Sequence, residues 1–147
     1  MKKYVLAGLF ALTATLLVLT GCSNFSYSNP IGVPTVTLSI GDRSLTQDTN
    51  TGLWTLSFSL NAYTLPGSPA GVVNSFALQN GGSLSAGLRV ESCGQEVATD
   101  CGPFTVNYSF QFAGYPPEGS YVITAFTVTG QNGTVYQQPL AEPLVIH

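Results

Sequence analysis

The stretch FTVNYSFQF, residues 104–112, alternates without a break. Phe104, Val106, Tyr108, Phe110 and Phe112 fall on one side, and Thr105, Asn107, Ser109 and Gln111 on the other. Successive side chains leave a β-strand on opposite faces, so a period of two marks a strand and not a helix. One apolar and one polar face describe an antiparallel strand with the core on one side and water on the other. The polar face carries hydroxyls and amides only.

The same period continues away from this stretch. TVTLSI (35–40) brings Val36, Leu38 and Ile40 together, and WTLSFSLN (54–61) brings Trp54, Leu56, Phe58 and Leu60 together. Weaker alternation marks VVNSFALQ (72–79), LSAGLRVE (84–91), SYVITAFTVT (120–129) and TVYQQPL (134–140). Turn formers punctuate the chain at 48–52, 66–69, 80–83, 116–117 and 130–133, with Asn132-Gly133 the strongest hairpin signal. No segment sustains a helical period. The pattern predicts an all-β domain over 34–147, a two-sheet antiparallel sandwich of about seven strands.

Residues 1–33 read differently. Lys2 and Lys3 precede an apolar run from Tyr4 to Leu19. That run is shorter than the about 20 residues a membrane-spanning helix needs, and no positive cluster follows it. A basic start, a short apolar stretch and a small-residue boundary make a secretory signal, here residues 1–21. At its end Leu19-Thr20-Gly21-Cys22 resembles the lipobox of bacterial lipoproteins. The resemblance implies cleavage before Cys22 and a thioether-linked diacylglycerol on it. Cys22 would then be the lipidation site, carrying palmitate-type acyl chains; an ordinary signal peptide with an unrelated cysteine is the competing reading. Two or three chains, each buried methylene contributing about 0.8 kcal/mol, hold a domain on a bilayer without a protein span. Ser23 replaces the aspartate associated with inner-membrane retention, which implies an outer-membrane address in a host with two membranes. Residues 22–33, polar with Pro30 and Gly32, read as a flexible tether.

Composition narrows the partners. Charged residues make up 7% of the chain and hydrophobic residues 44%. Loss of Lys2 and Lys3 with the signal takes the formal charge from −3 to about −5, leaving Arg43 and Arg89 as the only cations. Nucleic acid is disfavoured, because binding phosphates needs clustered basic side chains. Peripheral attraction to anionic headgroups is disfavoured for the same reason. Of three cysteines, one goes to the lipid, leaving Cys93 and Cys101 as a pair expected to oxidise outside the cytoplasm. Two cysteines with no neighbouring histidine make at best half a zinc shell, so no metal is expected there.

PPEGSYVITAFTVTGQNG (116–133) resembles the hairpin of the last two strands in immunoglobulin-like and fibronectin type III-like bacterial domains. The resemblance implies that Gly119-Ser120-Tyr121 opens the penultimate strand, with the Tyr121 hydroxyl folded back to cap the preceding loop. Trp54 resembles the core tryptophan of fibronectin type III domains. The Cys93–Cys101 pair departs from the family pattern, closing a loop between neighbouring strands instead of joining the two sheets.

Candidate sites are few. The only histidine is His147, expected to be exposed, so no Ser-His or Cys-His pair can be built on the strands. No nucleophile elbow or phosphate-cradling glycine loop occurs, so no cofactor is expected. Glu91, Glu96 and Asp100 cluster near the cysteine loop, where paired carboxylates could cleave glycosidic bonds; solvated surface acids are the plainer reading. DTNTG (48–52) offers Asp48 and Asn50 as calcium ligands, but the same residues suit a tight turn. The penultimate strand shows apolar residues on both faces: Tyr121, Ile123 and Ala125 on one, Val122, Phe126 and Val128 on the other. The second face needs covering by the tether, the C-terminal AEPLVIH, a bulge or a partner protein, and is the candidate protein-binding face. Arg89 and the loop residues Tyr27, Tyr63 and Tyr115 could meet sugars. The expectation is a lipid-anchored, non-catalytic envelope protein in a structural, adhesion or accessory protein-binding role. A carbohydrate-binding module is the alternative, and an enzyme using loop carboxylates the third reading.

Overall fold

The structure, a computed structural model, describes residues 30–147. The expected signal segment 1–21, the lipidation site Cys22, Tyr27 and the tether up to residue 29 lie outside the described residues. Seven strands follow one another: β1 (Val36–Gln47), β2 (Trp54–Thr64), β3 (Gly71–Leu78), β4 (Ser83–Val90), β5 (Cys101–Phe112), β6 (Val122–Gly130) and β7 (Val135–Val145). They form a three-stranded sheet, β1-β2-β5, and a four-stranded sheet, β4-β3-β6-β7, all neighbours antiparallel. This is an immunoglobulin-like two-sheet sandwich. Its fourth strand leaves the first sheet and edges the second, unlike the constant-type order.

The alternation read from sequence places the core. In β2, Leu56, Phe58 and Leu60 are buried, facing Phe76 and Val73 of β3 and Phe126 and Val128 of β6. The polar sides of β2 and β5 point outward as a ladder, with Ser57 opposite Ser109 and Asn61 opposite Thr105. Each open side of the sandwich is closed by a hydrogen bond between sheets. On one side the Tyr108 hydroxyl of β5 donates to the Ser85 carbonyl of β4 at 2.8 Å. On the other, Arg43 Nη1 of β1 donates to the Ile146 carbonyl just past β7 at 2.9 Å.

The candidate protein-binding face is corrected by β6. Its register against β3 and β7 shifts between Ile123 and Ala125, so Thr124 is an extra, bulged residue. The alternation breaks there and restarts on the other phase. Ile123, Phe126 and Val128 therefore all point inward and are fully buried, and Val122 is buried as well. Of the covers considered, the bulge is the one that turns Phe126 and Val128 inward. AEPLVIH also joins the fold: β7 runs through it and Ile146 enters the core.

The tether ends sooner than its composition indicates. Val33 is buried in the core, and the Gln131 amide donates to the Gly32 carbonyl at 3.1 Å, docking this segment on the β6–β7 turn. Gly130 makes room for it: a Cβ there would strike the Gly32 carbonyl and stand 3.1 Å from Val33 Cα. Cys93 and Cys101 form the expected disulfide, with Cα atoms 5.6 Å apart. The strands it links lie in different sheets, so it clips a crossover between layers and not a hairpin. That crossover is tied to the β2–β3 loop by Cys93 N–H to the Ser68 carbonyl, 2.8 Å, and Gly67 N–H to the Cys93 carbonyl, 3.0 Å. The docked segment, the β2–β3 loop and the disulfide loop all lie at the end where the chain enters.

Candidate distal cleft

Antiparallel order sends the remaining connections to the opposite end: the β1–β2 and β3–β4 turns, the β5–β6 loop and residues 146–147. There an open cleft of about 640 Å³ is lined by Arg43, Ser44, Tyr115, Glu118 and His147 among others. Each side chain is placed by a local break in the ladder. Arg43 follows a register shift in β1, where the Asp42 amide donates to Ser59 Oγ at 2.7 Å. Its guanidinium has five N–H donors and gives one nitrogen to Ile146, leaving the rest of the fork to the cleft. Tyr115 and Glu118 come from the β5–β6 loop, with Pro116 buried between them.

Backbone bonds pin that loop to the chain beyond β7: Gly119 N–H to the His147 carbonyl, 2.7 Å, and Ile146 N–H to the Tyr121 carbonyl, 2.9 Å. Gly119 holds φ of 76°, a left-handed conformation that suits glycine. His147, expected to be exposed, is half-buried. Its Nε2 lies 2.9 Å from the Pro116 carbonyl, which can only accept, so Nε2 donates there and Nδ1 is left for another partner. Tyr115 is 57% exposed, its ring 5.5 Å from that of His147 and edge-on to Trp54 at 5.1 Å. Trp54 thus corrects the expectation of a core tryptophan: it opens β2, half-buried, and buttresses Tyr115 at the rim.

Tyr121 departs from its expected role in a similar way. Its ring stacks on Phe110 at 4.9 Å and lies 5.8 Å from Phe58, while main-chain bonds close the loop before it. Burial pushes its phenol above the usual range, and pushes Tyr108 up to about 12.

The other residues singled out by sequence do not converge. Glu91, Glu96 and Asp100 are exposed on or beside the crossover loop at the opposite end. Asp48 is a turn carboxylate: Oδ1 accepts from the Asn50 and Thr51 amides at 2.8 and 3.3 Å, which holds its pKa below the usual value. Among the described residues no cluster of three or more His, Cys, Asp or Glu could hold a metal ion. Arg89 lines a second cleft of about 670 Å³ near the chain entry, with Glu91, Val72 and Phe104, far from Tyr115. Sequence reasoning named Tyr115 but missed Arg43 and Glu118 as its neighbours. Their one signal is a cation beside a glycine that interrupts a strand and an acid after a double proline.

No protein-family model matches the chain, and no curated protein matches it. Among solved structures it is similar to the structural-genomics target SoR45, at 10% identity and a TM-score of 0.38, over 76% of this chain and 84% of that one. Target BeR40 from Bordetella pertussis aligns at 16% identity and a TM-score of 0.34, over 80% and 98%. Likeness at this level assigns the chain to no family.

Proposed function

We propose that this is a lipid-anchored, non-catalytic recognition protein of the cell envelope that meets its ligand with the end farthest from its anchor. One observation supports the reading above others. The chain enters the sandwich beside the disulfide loop, and the cleft carrying Arg43, Tyr115, Glu118 and His147 opens at the other end. A tether on Cys22 would hold the first end toward the bilayer and turn the second outward. The role is structural, adhesive or accessory, and because the apolar face of β6 is core, the contact surface would lie at the distal end instead.

The test is photo-crosslinking in the native bacterium, with a photoreactive amino acid at Tyr115 or at Val97 of the disulfide loop. Amine-reactive reagents suit it poorly, because the mature chain has no lysine. Reproducible adducts from position 115 and not from 97 are expected. Adducts from 97 alone, or from neither, overturn the distal reading. In the same strain Cys22→Ser should leave the membrane fraction; a variant that stays lipidated and membrane-bound removes the anchor.

A further inference from the structure

We propose that the distal cleft takes an uncharged saccharide, with Tyr115 as the stacking platform and Arg43, Glu118 and His147 as the hydroxyl readers. This rests on the recognition reading above and names its ligand class. Three features of the cleft lead to it. A pyranose ring offers one face of C–H bonds and a rim of hydroxyls, so its receptor needs a flat aromatic face beside mixed donors and acceptors. Tyr115 supplies the face: the residue is 57% exposed and its ring is set by edge contact with Trp54, so it needs little ordering on binding.

The polar groups are of the required mixture. The free part of the Arg43 fork donates, the Glu118 carboxylate accepts, and the His147 ring, its Nε2 committed to Pro116, offers Nδ1. Adjacent hydroxyls, each a donor and an acceptor, satisfy such a set; a phosphate or a hydrocarbon chain does not. The charges also decide. One guanidinium and one carboxylate line the same cleft, so an anionic ligand gains from Arg43 and loses to Glu118. At about 640 Å³ the space lies within the range of about 300–1,000 Å³ typical of small-molecule sites, room for a short oligosaccharide or a chain end.

The domain carries its own reporter. Trp54 is the only tryptophan and touches the platform, so a sugar laid on Tyr115 should alter its emission. The full lipidated chain, in a detergent without a sugar headgroup, is applied to an array of neutral and acidic oligosaccharides. The best neutral binders are then titrated by Trp54 fluorescence. Binding to neutral glycans is expected, insensitive to salt. Tyr115→Ala and Arg43→Gln should each weaken it at least tenfold, and Tyr115→Phe should retain it. The unfolding midpoints of all three variants are measured alongside, so a folding defect is not read as lost binding. No neutral binder at millimolar concentration, binding to acidic glycans only, or affinity unchanged in Tyr115→Ala overturns the assignment. If sugars fail while position 115 still crosslinks to a protein, the distal end remains the contact surface and only the ligand class falls.

Discussion

Phe126→Ala separates the two readings of β6 most sharply. On a partner-binding face, truncating this ring costs affinity and leaves the fold nearly untouched. The structure puts it fully buried, in register with Phe76 of β3, which is also fully buried, and among Val73 and Val128. Removing a packed phenyl ring leaves a cavity in a core that relaxes only partly, which costs about 3–5 kcal/mol. The whole domain is worth only about 5–15 kcal/mol. At about 4 °C per kcal/mol for a domain of this size, the melting temperature should fall by about 12–20 °C. Urea and thermal unfolding, followed by Trp54 fluorescence and by far-ultraviolet circular dichroism, measure this directly. Val135→Ser, at a site 64% exposed on β7, is the control and should stay within about 0.5 kcal/mol. A loss below about 1 kcal/mol for Phe126→Ala would falsify the inward assignment and restore the face to the surface.

Three further outcomes are expected. Replacing Cys93 and Cys101 together by alanine should cost about 2–3 kcal/mol, the chain-entropy value for a loop this short; both cysteines reacting with a thiol reagent in the natively exported protein would contradict the bond itself. Tyr108 has a folded pKa raised to about 12 from 10.0, so its contribution is fully present below pH 10 and is lost as the pH rises to about 12. Tyr108→Phe should flatten that alkaline decline and, through the lost bond to Ser85, lower stability at neutral pH by about 0.5–1.5 kcal/mol. An unchanged alkaline limb would mean the phenol is not the group responsible. Gly130→Ala should lift the entering segment off the β6–β7 turn at a cost of about 1–3 kcal/mol, read as faster hydrogen exchange at Gln131 and easier proteolysis near residue 32. Exchange as slow as in the unaltered protein would show that the segment is not held there.

Strand identity was legible in the sequence wherever one face meets water and the other the core. That holds for β2 and β5, whose alternation is unbroken from Leu56 to Leu60 and from Phe104 to Phe112. At β6, buried between β3 and β7, the strand was legible but its faces were not, because period-two reasoning cannot see an inserted residue: one bulge at Thr124 reassigns every side chain beyond it. The first strand was foreseen only as far as Ile40, because Gly41 and Asp42 break the pattern before β1 resumes at Arg43 on its way to Gln47. The disulfide was legible from cysteine arithmetic, but its role was not. Whether consecutive strands share a sheet is a matter of topology, and β4 and β5 do not.

The same breaks explain why the cleft was hidden and why it lies where it does. The regular walls of the first sheet are faced by Ser, Thr, Asn and Gln, which offer hydrogen-bonding groups without charge. Charge is admitted mainly where the ladder stops. Asp42 and Arg43 sit at the β1 irregularity, and Glu142 lies where the β7 register jumps from Pro139 to Leu144. Asp48 and Glu118 are in distal turns, and Glu91, Glu96 and Asp100 are on the clipped crossover. Such bulges and charges on β1 and β7 also discourage pairing along those edges. A side chain with hydrogen-bonding or electrostatic reach therefore meets another only where two breaks coincide in space. At the entry end the breaks bring mainly acids, Glu91, Glu96 and Asp100. At the far end the β1 irregularity, the β5–β6 loop and residues 146–147 bring together a cation, an acid, an imidazole and an exposed aromatic ring. No short window of sequence contains that set: Arg43 stands some seventy residues before Tyr115 and Glu118, His147 about thirty after them, and only the folding of the two sheets joins them.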